Sequence, residues 1–156
     1  MTDRSHPNSP REGQNTLMTL ALSTTLHTSF ADAVDRTRKA LADQGFGVLT
    51  EIDMKATLKA KLGEDMEDYL ILGACNPPLA HRAVTVDRQI GLLLPCNVVV
   101  RADPADPGAV LIDAMNPQVM VQVQVADQPG LGAVADDATV ALRAAIDSLA
   151  GDVGDR

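Results

Sequence analysis

The segment from Tyr69 to Ala74 constrains the fold most, because it is apolar on both faces and ends abruptly at Cys75-Asn76-Pro77. A short run that is apolar on both faces is typical of a strand inside a sheet. We expect a helix to begin at Asn76, with Pro77 at the first helical position, where its missing N–H is tolerated. The sequence therefore predicts an interior strand that leads directly into a helix, with a cysteine at the junction.

The rest of the chain shows strand and helix periodicities in turn. Strands are predicted over 18–26, 48–53, 90–101, 110–112 and 119–125, and helices over 29–45, 54–62 and 130–149. The longest strand signal is 90–101, in which Pro95 indicates a sheet edge or a bulge. The order βαβαβαβββα predicts an α+β fold, a two-layer mixed β-sheet with helices mainly on one face.

Chain length predicts one domain. Residues 1–15 are polar and contain proline, so we expect a disordered leader there. Residues 16–150 are predicted to form a single α+β domain, and residues 151–156 a flexible tail.

Charge and composition argue against several classes of partner. Acidic residues outnumber basic ones 21 to 13, for a net charge of −8, and an acidic surface repels nucleic-acid phosphates and anionic lipids. Only 2% of residues are aromatic, too few for base stacking. No apolar run reaches the roughly 18 residues of a membrane span. We expect no nucleic acid and no membrane partner, and a reduced, cytoplasmic protein, since two cysteines do not form a disulfide framework.

The two cysteines are the first candidates for chemistry. Cys75 is predicted to lie near the unpaired amides and positive end of a helix, which would favour its thiolate form. Free cysteine is also a common buried, apolar side chain, and both interpretations of Cys75 stay open. Cys96 shares a predicted strand face with Leu94 and Val98, which favours the core for its side chain.

A metal site is a further hypothesis. His81 follows Cys75 by six residues, and with Cys96 the three side chains would offer soft ligands to a transition metal. Their spacing matches none of the specific zinc motifs. Dinucleotide-binding, phosphate-loop and nucleophile-elbow motifs are absent from the sequence as well, so no reaction or cofactor is predicted.

Two longer strings, 70–80 and 91–100, together with Asn116-Pro117, resemble the prokaryotic "domain of unknown function 302" family. The resemblance implies a compact α+β domain that forms a homodimer, without an established activity. It also implies that cysteine belongs at Cys75 and Cys96.

These observations lead to one main hypothesis and two alternatives. The main one is a homodimeric, cytoplasmic small-ligand or metal-binding module, or stress-response module, without enzymatic activity. Its pocket would be lined by six residues: Cys75, Asn76, Pro77, Pro95, Cys96 and Asn97. The first alternative is a thiol-based enzyme or redox sensor that uses Cys75. The second is a structural dimerisation module that pairs through a strand edge near Pro95.

Overall fold

The computed structural model describes residues 19–123 and 129–151. Its centre is one five-stranded sheet in the order β1-β5-β4-β3-β2, and every neighbouring pair is antiparallel. The strands are β1 (Ala21–His27), β2 (Gly47–Asp53), β3 (Tyr69–Cys75), β4 (Cys96–Ala102) and β5 (Ala109–Met115). The α+β class is confirmed, although the sheet is antiparallel throughout rather than mixed.

The helices are α1 (Phe30–Asp43), α2 (Met54–Leu62), α3 (Pro77–Val86), α4 (Val119–Gln122) and α5 (Pro129–Gly151), with a 3₁₀ helix at Arg88–Leu93. α1 and α5 pack against each other and against one face of the sheet. Alternate strand residues supply the apolar side of that layer, as a half-buried antiparallel sheet requires. These residues are Leu22, Leu26, Leu70, Leu72, Cys96, Val98, Val100, Val110, Ile112 and Ala114.

Local sequence signals fix the first helix. The Ser29 side chain accepts a hydrogen bond from the Asp32 N–H at 3.1 Å, which satisfies one unpaired donor of the first turn. Thr37 and Leu41 are buried on the inner side of α1. The chain turns after the helix at Gly45, whose φ of +85° favours glycine. The predicted start, inner face and end of α1 are confirmed.

A second, smaller apolar cluster extends the core beyond the end of the sheet. It joins α3, the 3₁₀ helix, α4 and α5 through six buried residues: Ala83, Ile90, Met120, Leu131, Val134 and Ala135. The cluster packs helix against helix without a strand, so the junction between β3 and α3 lies where the two apolar clusters meet.

The predicted strand 90–101 is wrong in its first half. Residues 88–93 form the 3₁₀ helix, and β4 begins only at Cys96. Pro95 therefore precedes the strand, where its missing N–H removes no ladder hydrogen bond. The expected free strand edge near Pro95 is also wrong, because β4 is the middle strand and pairs with β3 and β5.

The predicted strand 119–125 is wrong as well, because Val119–Gln122 is a short helix. The α4 turn buries Met120, whereas Val121 and Val123 remain exposed. Gln124 and Val125 lie outside the described residues, as do the predicted leader 1–15 and all but Gly151 of the predicted tail. Among the described residues, no helix combines the length and apolar content needed to cross a bilayer.

Candidate functional site

A cavity lies where β3 passes into α3, beside the first residue of β4. Its volume is about 30 Å³, more than the roughly 10–15 Å³ that one buried water molecule needs. The wall is almost entirely apolar. It consists of Phe46, Ala74, Cys75, Asn76, Leu79, Ala80, Ala83, Leu94, Pro95, Cys96, Met120, Val134 and Ala138.

Asn76 holds the strand–helix junction together. Its Oδ1 accepts a hydrogen bond from the Leu79 N–H at 3.4 Å, and its Nδ2 donates one to the Gln44 carbonyl at 3.4 Å. A Cβ on Gly45 would approach Asn76 Nδ2 to 3.2 Å, closer than most such contacts. The Asn76 amide is thus used at both ends to tie α3 to the turn after α1.

These contacts correct the electrostatic expectation for Cys75. Pro77 and Pro78 occupy the first two helical positions and have no N–H. The Leu79 N–H bonds to the Asn76 side chain, and the Ala80 N–H bonds to the Asn76 carbonyl at 2.9 Å. At the start of α3 the N–H is therefore lacking at Pro77 and Pro78 and already bonded at Leu79 and Ala80.

The two thiols share the cavity but differ in environment. Cys75 is half-buried, Cys96 is buried, and neither forms a disulfide. The strand register pairs Ala74 with Cys96, so Cys75 is the next residue beyond that pair. Burial raises the pKa of Cys96 from 9.0 to about 11, and the charge of nearby Cys75 adds to the rise. The Cys96 thiol therefore stays protonated at neutral pH.

Gly73 has no side chain, so Thr50 and Pro95 can approach β3 closely. A Cβ at this position would lie 2.0 Å from Thr50 Oγ1 and 2.8 Å from Pro95 Cγ, so any larger residue would force these side chains to shift. The Leu94–Pro95 peptide bond is cis and carries the chain from the 3₁₀ helix into β4. Thr50 and Pro95 together enclose Gly73, next to the cavity.

Four of the six residues predicted to line the pocket do so in the structure, and two do not. Cys75, Asn76, Pro95 and Cys96 line the cavity. Pro77 and Asn97 are exposed and lie outside its lining.

His81 is exposed on α3. Within residues 19–123 and 129–151, His, Cys, Asp and Glu side chains form no group of three able to hold one metal ion.

Part of the cavity wall was not predicted from the sequence. Met120, Val134 and Phe46 contribute to it from three separate elements. In the predicted strand 119–125, Met120 shares a face with Gln122 and Gln124, so no local signal predicts its burial. Gly73 was also missed, although a glycine inside an apolar strand indicates a close approach by other atoms.

Comparison with known proteins agrees with the fold described above. The family model described as "Domain of unknown function DUF302" matches residues 22–149. A crystal structure of an uncharacterized conserved DUF302 protein from Bacillus stearothermophilus is 27% identical, with a TM-score of 0.74 over 83% of this chain and 98% of that one. No curated protein matches the chain. The match over most of the folded residues shows that this chain belongs to the DUF302 family.

Proposed function

We propose that this protein is a small-ligand or metal-binding module whose site is the cavity at the β3–α3 junction. In this proposal it acts in the cytoplasm as a homodimer, in a stress response, and carries out no catalytic step. The observation that supports it is the presence of two free cysteines among the residues that line one apolar cavity. A cavity with few polar groups at defined positions is the usual form of a ligand site.

Contacts on both sides of the cavity support the binding proposal. Asn76 fixes the start of α3 through bonds to Gln44 and Leu79. Gly73 lets Thr50 and Pro95 close over β3 from the other side. Ligand sites supported in this way hold their contacts before binding, so less conformational entropy is lost on binding.

The size of the cavity restricts the ligand. Pockets that hold drug-sized molecules have volumes of about 300–1,000 Å³, whereas this one measures about 30 Å³. An ion or a fragment of a few atoms fits without movement of the walls. The proposed ligand is therefore ion-sized or very small.

Native mass spectrometry of protein purified from its own host tests this proposal. We expect the wild-type protein to carry a bound mass that the Cys75→Ser variant lacks. Asn97→Ser is the matched control, because Asn97 is exposed and lies outside the cavity lining. Thermal melting should show little change for either variant.

A wild-type protein without bound mass, combined with a large stability loss in Cys75→Ser, would contradict the proposal. That result would indicate that the thiol only fills space in the core.

The second candidate function is a thiol enzyme or redox sensor that uses Cys75. It is favoured by one observation: the Cys75 thiol is free and only half-buried, so a small oxidant or electrophile can reach it. Iodoacetamide labelling tests it, with Cys75→Ser as the blank. Faster labelling of Cys75 in the folded than in the unfolded protein would support this function, and equal or slower labelling would remove it.

The homodimer proposed here uses the face of the sheet opposite α1 and α5. Ile52, Ile71 and Val99 are cross-strand neighbours there. Ile52 is 46% exposed, and Ile71 and Val99 are half-buried and outside both apolar clusters. A second copy would cover this row and remove it from water.

Sedimentation velocity at micromolar concentration tests the proposed dimer. Ile52→Lys should yield monomers, whereas Leu62→Lys, a matched change at a side chain 68% exposed on α2, should not. A monomeric wild-type protein would contradict the dimer.

A further inference from the structure

The cavity at the β3–α3 junction offers few polar partners to a ligand. Asn76 is the lining residue whose side chain carries nitrogen and oxygen, and both ends of its amide already bond to the protein. Among the residues that the structure describes, every buried side-chain nitrogen or oxygen has a hydrogen-bond partner. A buried water needs about two to four polar partners, and an ion without partners is costly to bury. The lining therefore favours a neutral, apolar occupant.

Short side chains leave the cavity unfilled and set its size. The alanines of the lining come from β3, α3 and α5, and they are Ala74, Ala80, Ala83 and Ala138. The volume of about 30 Å³ is about twice the roughly 10–15 Å³ that one water-sized sphere occupies. A molecule of two bonded heavy atoms therefore fits, whereas a larger one requires the walls to move.

Contacts between α3 and α5 on both sides of the gap keep it from closing. Arg82 Nη1 donates to Asp137 Oδ2 at 2.7 Å. At the other end of α3, a Cβ on Gly130 would lie 2.8 Å from a methyl group of Val86.

Two residues of the cavity lining lie between these contacts. Ala83 lies between them along α3, and Val134 lies between them along α5. Because the two helices already touch on either side, they cannot close on this gap without a shift. The walls therefore lack part of their dispersion contacts, and an apolar occupant would restore them.

We propose that this cavity binds a neutral diatomic gas, of the class of dioxygen, nitric oxide and carbon monoxide. Apolar cavities in proteins stay dry and take up apolar species such as xenon. Entry needs no movement of the walls, since Leu79, Ala80 and Leu94 are only half-buried and reach the surface. This inference rests on the proposed binding function and names its class of ligand. Binding forms and breaks no covalent bond.

Dissolved dioxygen serves as the probe, because its unpaired electrons accelerate the NMR relaxation of nearby methyl groups. Under dioxygen, relative to an equal pressure of nitrogen, methyl relaxation in Ala83, Met120 and Val134 should accelerate severalfold more than in Leu72 and Ile112. All five side chains are buried, but Leu72 and Ile112 lie outside the cavity lining. Equal acceleration in the two sets would show general uptake by the core and would overturn the proposal.

A variant that fills the cavity adds a second test. Ala80→Leu introduces a longer side chain into the lining and should abolish the excess relaxation. Ala144→Leu is the matched control, because Ala144 is half-buried on α5 and lies outside the lining; the excess should persist there. An excess that persists in Ala80→Leu would contradict the assignment to this cavity. The wild-type comparison requires no variant, so it decides the matter if Ala80→Leu does not fold.

Two further outcomes separate this inference from the proposed function. Magnetisation transfer from water to the methyl groups of Ala83 and Val134 would reveal a bound water and would overturn the gas site. If dioxygen produces no excess relaxation but the native protein carries another bound mass, this inference alone is wrong. If neither is found, the proposed binding function is wrong too.

Discussion

Alkaline pH should destabilise the fold through Cys96, because the folded chain retains a proton that the unfolded chain releases. Burial, with a contribution from the charge of Cys75, raises the pKa of Cys96 from 9.0 to about 11. A group whose pKa rises on folding stabilises the fold fully below its unfolded pKa. This contribution is therefore intact below about pH 9 and is lost as the pH rises through about 11.

The magnitude follows from the two pKa values. A tenfold change in an equilibrium constant is worth about 1.4 kcal/mol, so the whole difference corresponds to about 3 kcal/mol. At pH 11 the unfolded thiol is almost fully ionised and the folded one about half ionised, so about 2 kcal/mol is lost by then.

Urea unfolding between pH 7 and pH 11 measures this loss, with Cys96→Ala as the comparison. The other ionisable side chains are common to both proteins, so their contributions cancel in the difference. The free energy of unfolding of the wild type, minus that of the variant, should fall by about 2 kcal/mol from pH 8 to pH 11. A difference that stays constant with pH would show that Cys96 titrates normally and would refute the argument from burial.

Further substitutions test how the site and α5 are built. Gly73→Ala should destabilise the protein by about 1–3 kcal/mol in urea unfolding, because its Cβ would lie 2.0 Å from Thr50 Oγ1; Thr50→Ala in the same chain should recover part of the loss, and no recovery would contradict that contact. Asn76→Ala should cost about 1 kcal/mol as a lost helix cap, and an unchanged melting temperature would show that its two hydrogen bonds contribute nothing. Gly132→Ala should stabilise α5 by about 0.5–1 kcal/mol because a Cβ there meets no atom within 4 Å. Gly130→Ala should not stabilise α5, since its Cβ would meet a valine of α3 at 2.8 Å; equal gains at both glycines would contradict this packing.

Local sequence signals were sufficient to predict the β3–α3 junction and α1. Asn76, Pro77 and Ser29 act within one helical turn of their own positions, so their effects can be predicted without the rest of the fold. The scarcity of unpaired N–H groups near Cys75 could also have been predicted from the sequence. Two prolines without N–H and an asparagine that caps the helix leave few unpaired amides at the start of α3.

Non-local packing explains what could not be predicted. The alternation of Val119, Val121 and Val123 indicates a strand, yet burial of Met120 beneath α5 stabilises a helical turn instead. The apolar run before Pro95 is continuous, but its first part packs in the helical cluster rather than in the sheet. Leu94 and Met120, which line the cavity, belong to these two segments. Only the part of the lining formed by Cys75, Asn76, Pro95 and Cys96 could therefore be predicted from the sequence.

The central claim is that the cavity beside Cys75 and Cys96 is a binding site. A crystal structure of the protein purified anaerobically from its own host tests it most directly. The account predicts non-protein density in the cavity, in contact with the sulfur atoms of Cys75 and Cys96. A cavity that is empty or filled by side chains, with both thiols packed only against carbon, would contradict it.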